Sequence, residues 1–343
     1  MNPPQEVKPK LKSRRWLWIT LLLIAGFFAA AGAWIFWLLG PTGASAIVEI
    51  PTGAGAQEVG RLLEKNGLVR SARVFALYAR WRGSAGKLQS GYYKLSGRGA
   101  AALLEDLTGA GEQVMTRLVF PEGWRAVDYA ARLNEAGFDG DGFLQLVNHP
   151  PAEWTPGYVE GPTLEGYLFP DTYDLPKKAD PEVIVAVMPR RFDREVTPDR
   201  VEVAQKLELT VHGWVTLASM VQAEAGNAAE MPAIAGVFLN RLEAGMPLQS
   251  DPTVAYALGK KLPELNRYAG DFQTDSPYNT YLYPGLPPGP ICNPGAAALG
   301  AVLEPKRYNK NGLPNFYFFH ARGELYLSST FNEHLRKLNR YYY

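Results

Sequence analysis

Few segments of this 343-residue chain set acids, amides and hydroxyls among apolar residues in a pattern that could do chemistry, and LASMVQAEAG (217–226) is the clearest. Its only carboxylate is Glu224, at the end of an otherwise apolar and amide-bearing helical stretch. At about 100° per residue, Glu224 falls at the edge of the apolar face formed by Trp214, Leu217, Ala218, Val221 and Ala225, and Gln222 points nearly the opposite way. A carboxyl held against apolar surface favours its neutral form, which raises its pKa toward that of a proton donor at neutral pH. A glutamate in the last helical turn before Gly226-Asn227 is also ordinary, so both readings stand on this segment alone.

Three further stretches bear on the same question. In LEGYLFPDTYDL (164–175), Glu165 and Asp171 lie among aromatics, either as site acids or in a half-buried strand and turn where Asp171 bonds nearby backbone. In LQSDPTVAYAL (248–258), Asp251 precedes Pro252 as an N-cap precedes proline at the first helical position, whereas Gln249 has no comparable duty. SPYNTYLYPGLPPGPICNPG (276–295) has nine Pro or Gly in 20 residues, which excludes helix and central strand. With Tyr278, Tyr281 and Tyr283 it reads as a rigid aromatic loop that could wall a groove, Asn279 and Asn293 offering donors and acceptors. The competing reading is a proline-stiffened crossover, with Asn293 capping a helix begun by Pro294. NAAE (227–230) has capping-box spacing, which makes Glu230 structural.

Other chemistries find no support. The four histidines (His149, His212, His320, His334) have no metal-ligand spacing, so no metal is expected, and no cofactor. Cys292 is the only cysteine, which excludes a disulfide framework. SAGK (84–87) matches S-x-x-K, but its glycines make it a turn and no K-T-G follows. Neither a G-x-S-x-G elbow nor a phosphate-binding G-x-x-x-x-G-K-[ST] loop is present.

The elements that must position these residues begin with an uncharged run, 16–39, which spans roughly 36 Å as a helix, enough to cross a hydrocarbon core of about 30 Å. Trp16, Trp18, Trp34 and Trp37 stand near its ends, and Lys8, Lys10, Lys12, Arg14 and Arg15 precede it with Glu6. The positive-inside rule keeps residues 1–15 cytoplasmic and exports everything after residue 40, as a single-pass protein of the cytoplasmic membrane. A cleaved signal peptide ending near AAAGA (29–33) is the rival, but its apolar region is typically only about 7–15 residues, so the length favours an uncleaved anchor. Of 35 basic and 34 acidic residues, 30 and 33 lie after the run, which excludes a nucleic-acid-binding surface.

After a linker (40–46), the order strand (47–54), helix ending at Gly67, helix capped by Ser71, strand (87–96) resembles a LysM-type glycan-binding module. A helix at 100–111 and a strand from 114 lead to a larger mixed domain at 116–343, so the fold class is α+β with a small subdomain at 47–115.

Taken together, EGYLFPDTY, ASMVQAEA, VFLNRLEAGMPLQSDPTVAYALG, YNTY, GLPPGPICNPG and YFFHARGELYLSSTFNEH resemble the YceG-like, or MltG, family of bacterial endolytic murein transglycosylases. The resemblance runs from the anchor to the C-terminus and is strongest over 164–332. It implies a membrane-anchored lyase that cuts peptidoglycan glycan strands between N-acetylmuramic acid and N-acetylglucosamine, leaving 1,6-anhydro ends. It also implies Glu224 as the single catalytic acid, substrate contacts among Glu165, Gln249, Asp251, Tyr278, Asn279 and Asn293, and cell-wall synthesis enzymes as further partners. Members often carry a second glutamate two positions before the catalytic one, where this chain has Gln222. A water-using muramidase, with Glu165 or Asp251 as second carboxylate, and a non-catalytic glycan-binding scaffold are the competing classes.

Overall fold

The computed structural model describes residues 13–51, 53–108, 115–176 and 179–342, so the expected basic tail before residue 13 lies outside the described residues. The chain divides into two compact units, Met1–Gln113 and Val114–Tyr343. Both mix helices and antiparallel strand pairs.

The first unit contains α1 (Ser13–Leu39), β1 (Ser45–Ile50), α2 (Ala56–Lys65), α3 (Ala72–Trp81), β2 (Gly91–Ser96) and α4 (Ala100–Thr108). Within α1, Trp18–Leu39 is long and apolar enough to cross a membrane, with a mean hydropathy of 2.2. β1 and β2 pair antiparallel, Ser45 opposite Ser96 and Ile50 opposite Gly91, around a core that includes Val59, Leu63, Phe75, Leu95 and Leu103. Pro51 has no N–H to continue the ladder, so β1 stops there and not at residue 54. β2 starts later than residue 87 because the Gln89 N–H donates to Leu107 O. Ser71 caps α3 by accepting from Val74 N at 3.4 Å. Residues 40–46 are no free tether. The Thr42 and Gly43 N–H groups donate to Gly97 O, and Arg70 donates to the carbonyls of Trp37, Gly40 and Pro41 at 2.6, 3.1 and 2.7 Å.

The second unit opens with β3 (Met115–Val119), α5 (Ala126–Glu135), α6 (Gly140–Asn148), β4 (Thr172–Pro176), α7 (Pro181–Phe192) and α8 (Pro198–Lys206). It continues with α9 (Val211–Glu224), α10 (Met231–Glu243), α11 (Asp251–Leu258), α12 (Ala296–Leu303), β5 (Tyr317–Ala321), β6 (Glu324–Ser328) and α13 (Phe331–Tyr342). β3 pairs with β4, and β5 with β6, both antiparallel.

α9 is the axis of this unit. Every residue from Trp214 to Val221 is buried, and α8, α10, α11 and α12 pack around the helix. Gln222, expected nearly opposite the apolar face, is half-buried and hydrogen-bonded, because a helix packed by neighbours over most of its length keeps little solvent face. The remaining side is closed by the proline-rich loop 276–295, which follows α9 from end to end. His212 Nε2 donates to Pro288 O (2.8 Å), Ser219 Oγ accepts from Ile291 N (3.0 Å), and Gln222 Oε1 accepts from Gly295 N (3.1 Å).

The same loop is bolted to the segment 164–168. Gly166 has a φ of 88°, and a Cβ there would meet Pro290 Cβ at 2.2 Å, so only glycine serves. Asn293 is fully buried and takes the Gly166 and Leu168 N–H groups on Oδ1, at 2.9 and 3.1 Å. Its Nδ2 donates to Trp124 O and Glu165 Oε1, both at 3.0 Å. Asn293 is thus not a helix cap, since α12 begins after Gly295, and no surface of its side chain is exposed in this structure.

Asn293→Ala leaves the buried N–H groups of Gly166 and Leu168 unpaired, which costs about 1–3 kcal/mol per group. The expected result is a thermal unfolding midpoint lowered by several degrees in the detergent-solubilised full chain. An unchanged midpoint would contradict the bracing role.

Candidate active site

Glu224 is the last residue of α9, and Ala225 turns extended immediately after it. The partial negative charge at a helix C-terminus disfavours an added carboxylate, so the position itself resists ionisation. Burial pushes the pKa up to about 7, the Ser250 hydrogen bond pulls against it, the negative Asp251 adds to it, and Arg241 opposes it. Ser250 Oγ donates to Glu224 Oε1 at 2.6 Å, which leaves Oε2 to carry the proton. Glu224 as a whole is half-buried, so solvent-side access remains.

Ser250 is held from three sides. Its N–H donates to Thr280 Oγ1 (3.0 Å), its carbonyl accepts from Thr253 Oγ1 (2.6 Å), and the two threonine hydroxyls meet at 2.9 Å. Thr280 belongs to the proline-rich loop and Thr253 to α11, so loop and helix together aim one hydroxyl at one carboxyl. Sequence reasoning missed Ser250, Thr253 and Thr280. The available signal was the run S-D-P-T opening a helix, where Ser250 and not Asp251 is the N-cap residue.

Arg241 was missed as well. This buried guanidinium on α10 donates to the carbonyls of Phe316 (2.6 Å), Pro247 (3.1 Å) and Leu248 (2.9 Å), and lies over the Tyr317 ring. It thereby fixes the approach to Gln249, whose φ of 54° is in the left-handed region that a non-glycine residue rarely adopts. Gln249 is exposed, and its Oε1 makes only a long contact of 3.4 Å with Arg241. Strain of this kind gathers at functional positions, and Gln249 keeps a side-chain amide available to a ligand.

The other expected contacts divide. Asp251 is the first residue of α11; its carboxylate accepts from Tyr281 OH and from Arg267 Nη2 at 3.3 Å, with the Arg267 guanidinium over Phe272 at 3.9 Å. Tyr278 is half-buried and packs on Tyr256 with ring centroids 4.8 Å apart. Asn279 is fully buried, donates to Phe272 O and Thr274 O, and accepts from Tyr281 N, so its amide shapes the loop. Glu165 is buried too, and its oxygens accept from Ala126 N (3.0 and 3.1 Å) and Asn293. Burial pushes the Glu165 pKa up to about 7, against the Ala126 N–H bond and the Arg125 charge. Both Glu165 oxygens are thus engaged at the start of α5, where the carboxyl braces this helix against Asn293.

The turn after Glu224 is closed by Glu230, though not as the expected capping box. Its carboxylate accepts from Gly226 N (3.0 Å) and Asn227 Nδ2 (2.9 Å) and pairs with His320 Nε2 (3.0 Å). The Asn227 oxygen accepts from Ala229 N instead, which stabilises the turn itself. Among the described residues, no three His, Cys, Asp or Glu side chains come together as a metal site.

A family model described as the YceG-like family matches residues 48–340. The endolytic murein transglycosylase of Bacillus subtilis (strain 168) is 32% identical over 316 residues, covering 86% of this chain and 84% of that protein. The protein of the same name from Streptococcus pneumoniae serotype 2 is 32% identical over 322 residues, or 85% of this chain, which spans 57% of that longer relative. The crystal structure of a yceG-like protein from Listeria monocytogenes aligns with a TM-score of 0.56 and 28% identity, over 85% of this chain and 99% of that one. The chain belongs to the YceG-like family.

Proposed function

We propose that this protein is a membrane-anchored endolytic lytic transglycosylase that cuts peptidoglycan glycan strands with Glu224 as its only catalytic acid and base. The observation that carries this reading is a half-buried carboxyl at the C-terminal end of α9, Glu224, whose pKa is pushed up to about 7 and to which Ser250 donates one hydroxyl. The Bacillus and Streptococcus relatives, both endolytic murein transglycosylases, supply the substrate class.

The chemistry needs one carboxyl used twice. Neutral Glu224 gives its Oε2 proton to the oxygen bridging N-acetylmuramic acid and N-acetylglucosamine as the bond from that oxygen to the muramoyl anomeric carbon breaks. The resulting carboxylate, steadied by Ser250, takes the proton of the muramoyl 6-hydroxyl, whose oxygen closes on the anomeric carbon. A 1,6-anhydro end forms, no water is consumed, and Glu224 regains its proton. Because the attacking hydroxyl belongs to the reacting sugar, its effective concentration is high and a second protein carboxylate is not required. Engagement of Glu165 in bracing, and of Asp251 with Tyr281 and Arg267, supports this economy.

α1 serves as the anchor, with the N-terminus cytoplasmic and the chain after residue 40 exported, and the tie from Arg70 to the end of α1 keeps α3 and its neighbours close to the membrane surface. The strand, helix, helix, strand order of that unit supports a LysM-like grip on glycan. Together these favour cuts within strands near the membrane, where nascent chains are trimmed or ended.

Glu224→Gln keeps the shape of the side chain and removes its proton, so turnover of purified peptidoglycan should fall by about 10²–10⁴-fold with folding intact. Mass spectrometry of the products decides the reaction class: anhydro ends are expected, reducing muramoyl ends would establish water attack, and full cellular function of Glu224→Gln would establish a scaffold. Since the neutral acid starts the reaction, activity should decline as pH rises through about 7. Ser250 favours the charged form, so Ser250→Ala raises the Glu224 pKa further and moves this alkaline limb to higher pH, besides lowering the rate. A limb that moved to lower pH would contradict the role given to Ser250.

A further inference from the structure

Beside the helix end that carries Glu224 lies an open cleft of about 590 Å³, with Ala223, Pro252, Trp124, Arg125, Tyr256 and Lys261 among its walls. This volume is in the range of small-molecule sites and far exceeds the space of one carboxylate. Two of the cleft walls, Ala223 and Pro252, are the sequence neighbours of Glu224 and Asp251.

The charges of the walls are unbalanced. Lys260 is paired with Asp271 at 2.7 Å, and Asp128 accepts the Arg125 backbone N–H at 3.0 Å, so these three are satisfied. Arg125 and Lys261 are not. Among the described residues neither cation pairs with a carboxylate, and Arg125 Nε is buried without a hydrogen-bond acceptor. The Arg125 guanidinium is held over the Tyr256 ring, 4.8 Å from its centroid, and Tyr256 is backed by Tyr278. Glu165 feels this charge, but its oxygens take their hydrogen bonds from Ala126 and Asn293. A fixed guanidinium with unused donors in a roomy cleft suits an incoming carboxylate.

We infer that the cleft between Arg125 and Lys261 is a subsite for the acidic peptide stem carried by the muramoyl residue, read by its free carboxylates. This rests on the glycan substrate proposed above. A strand of amino sugars is otherwise neutral, and the peptide attached through the lactyl group is where its carboxylates lie. The cleft has volume for several atoms beyond the carboxylate, with Trp124, Tyr256 and the Pro252 ring as apolar walls. The protein therefore selects strands by the state of their stems as well as by their sugars.

The test measures binding without turnover, using the full-length Glu224→Gln chain in detergent and a synthetic N-acetylmuramoyl peptide with free carboxylates. Two controls are its analogue with every carboxylate as carboxamide, and peptide-free N-acetylmuramic acid. The acidic peptide should bind about tenfold more tightly than the amide, the scale of one charge-assisted hydrogen bond. Adding Arg125→Gln should erase that preference, and Lys261→Gln, at an exposed position that leaves folding intact, should reduce it about threefold. Equal affinity for acid and amide would overturn the subsite. So would a preference untouched by both substitutions, or N-acetylmuramic acid binding as tightly as the acidic peptide. Absence of glycan cleavage by the unmodified protein would instead remove the proposed activity and leave this binding result standing.

Discussion

The second unit depends on one constraint: α9 is buried continuously from Trp214 to Val221, so polar groups on and beside that stretch must find partners inside the protein or remain costly. His212, Ser219 and Gln222 meet this by bonding the main chain of the loop 276–295, and Trp214 Nε1 by bonding Leu299 O. The Thr216 hydroxyl is the exception, buried without a partner. A loop with so many prolines has few N–H groups to offer, and those of Ile291 and Gly295 fall where α9 can accept them. Loop shape and helix burial therefore specify each other. Thr280, which steadies Ser250, is placed as a by-product of that mutual fit.

The enclosed helix also creates the electrostatic asymmetry of the site. Glu224 stands where burial and the helix end both oppose charge, while Asp251, one helix away, is surrounded by a phenol and a guanidinium. Two carboxyls near each other are thus given different surroundings, the arrangement by which one fold separates a proton donor from a fixed anion. Ser250 sits between these regimes, since its single hydroxyl partly offsets the effect of burial on Glu224.

What the sequence revealed was what depends on neighbours along the chain. The apolar run of α1, the alternation of strands and helices in 45–96, the isolation of Glu224 at a helix end and the non-regular character of 276–295 are all local patterns. Periodicity along α9 measures one helix and cannot see what covers its far face, where Gln222 accepts from Gly295 N. Asn293 and Asn279 read as free amides in a loop. Yet Asn293 reaches backbone 125 and 127 residues away, and Asn279 closes on carbonyls that only the folded loop presents. Ser250 and Arg241 were overlooked for the same reason: a hydroxyl in a helix cap and a cation in an apolar helix are common, and their partners are defined by tertiary contact alone.

Arg241 gathers carbonyls from two segments, 247–248 and 316, onto a single side chain. The first leads into the strained Gln249 and the second into the β5–β6 hairpin. Neither segment can loosen without unpairing the same buried cation, so their opening is a shared event and not two local ones. Amide protons around Leu248 and Phe316 should then exchange with solvent at a common rate. The hairpin, remote in sequence from Glu224, thereby acts as a mechanical stop on how far the strained backbone beside Ser250 can relax between one cut and the next.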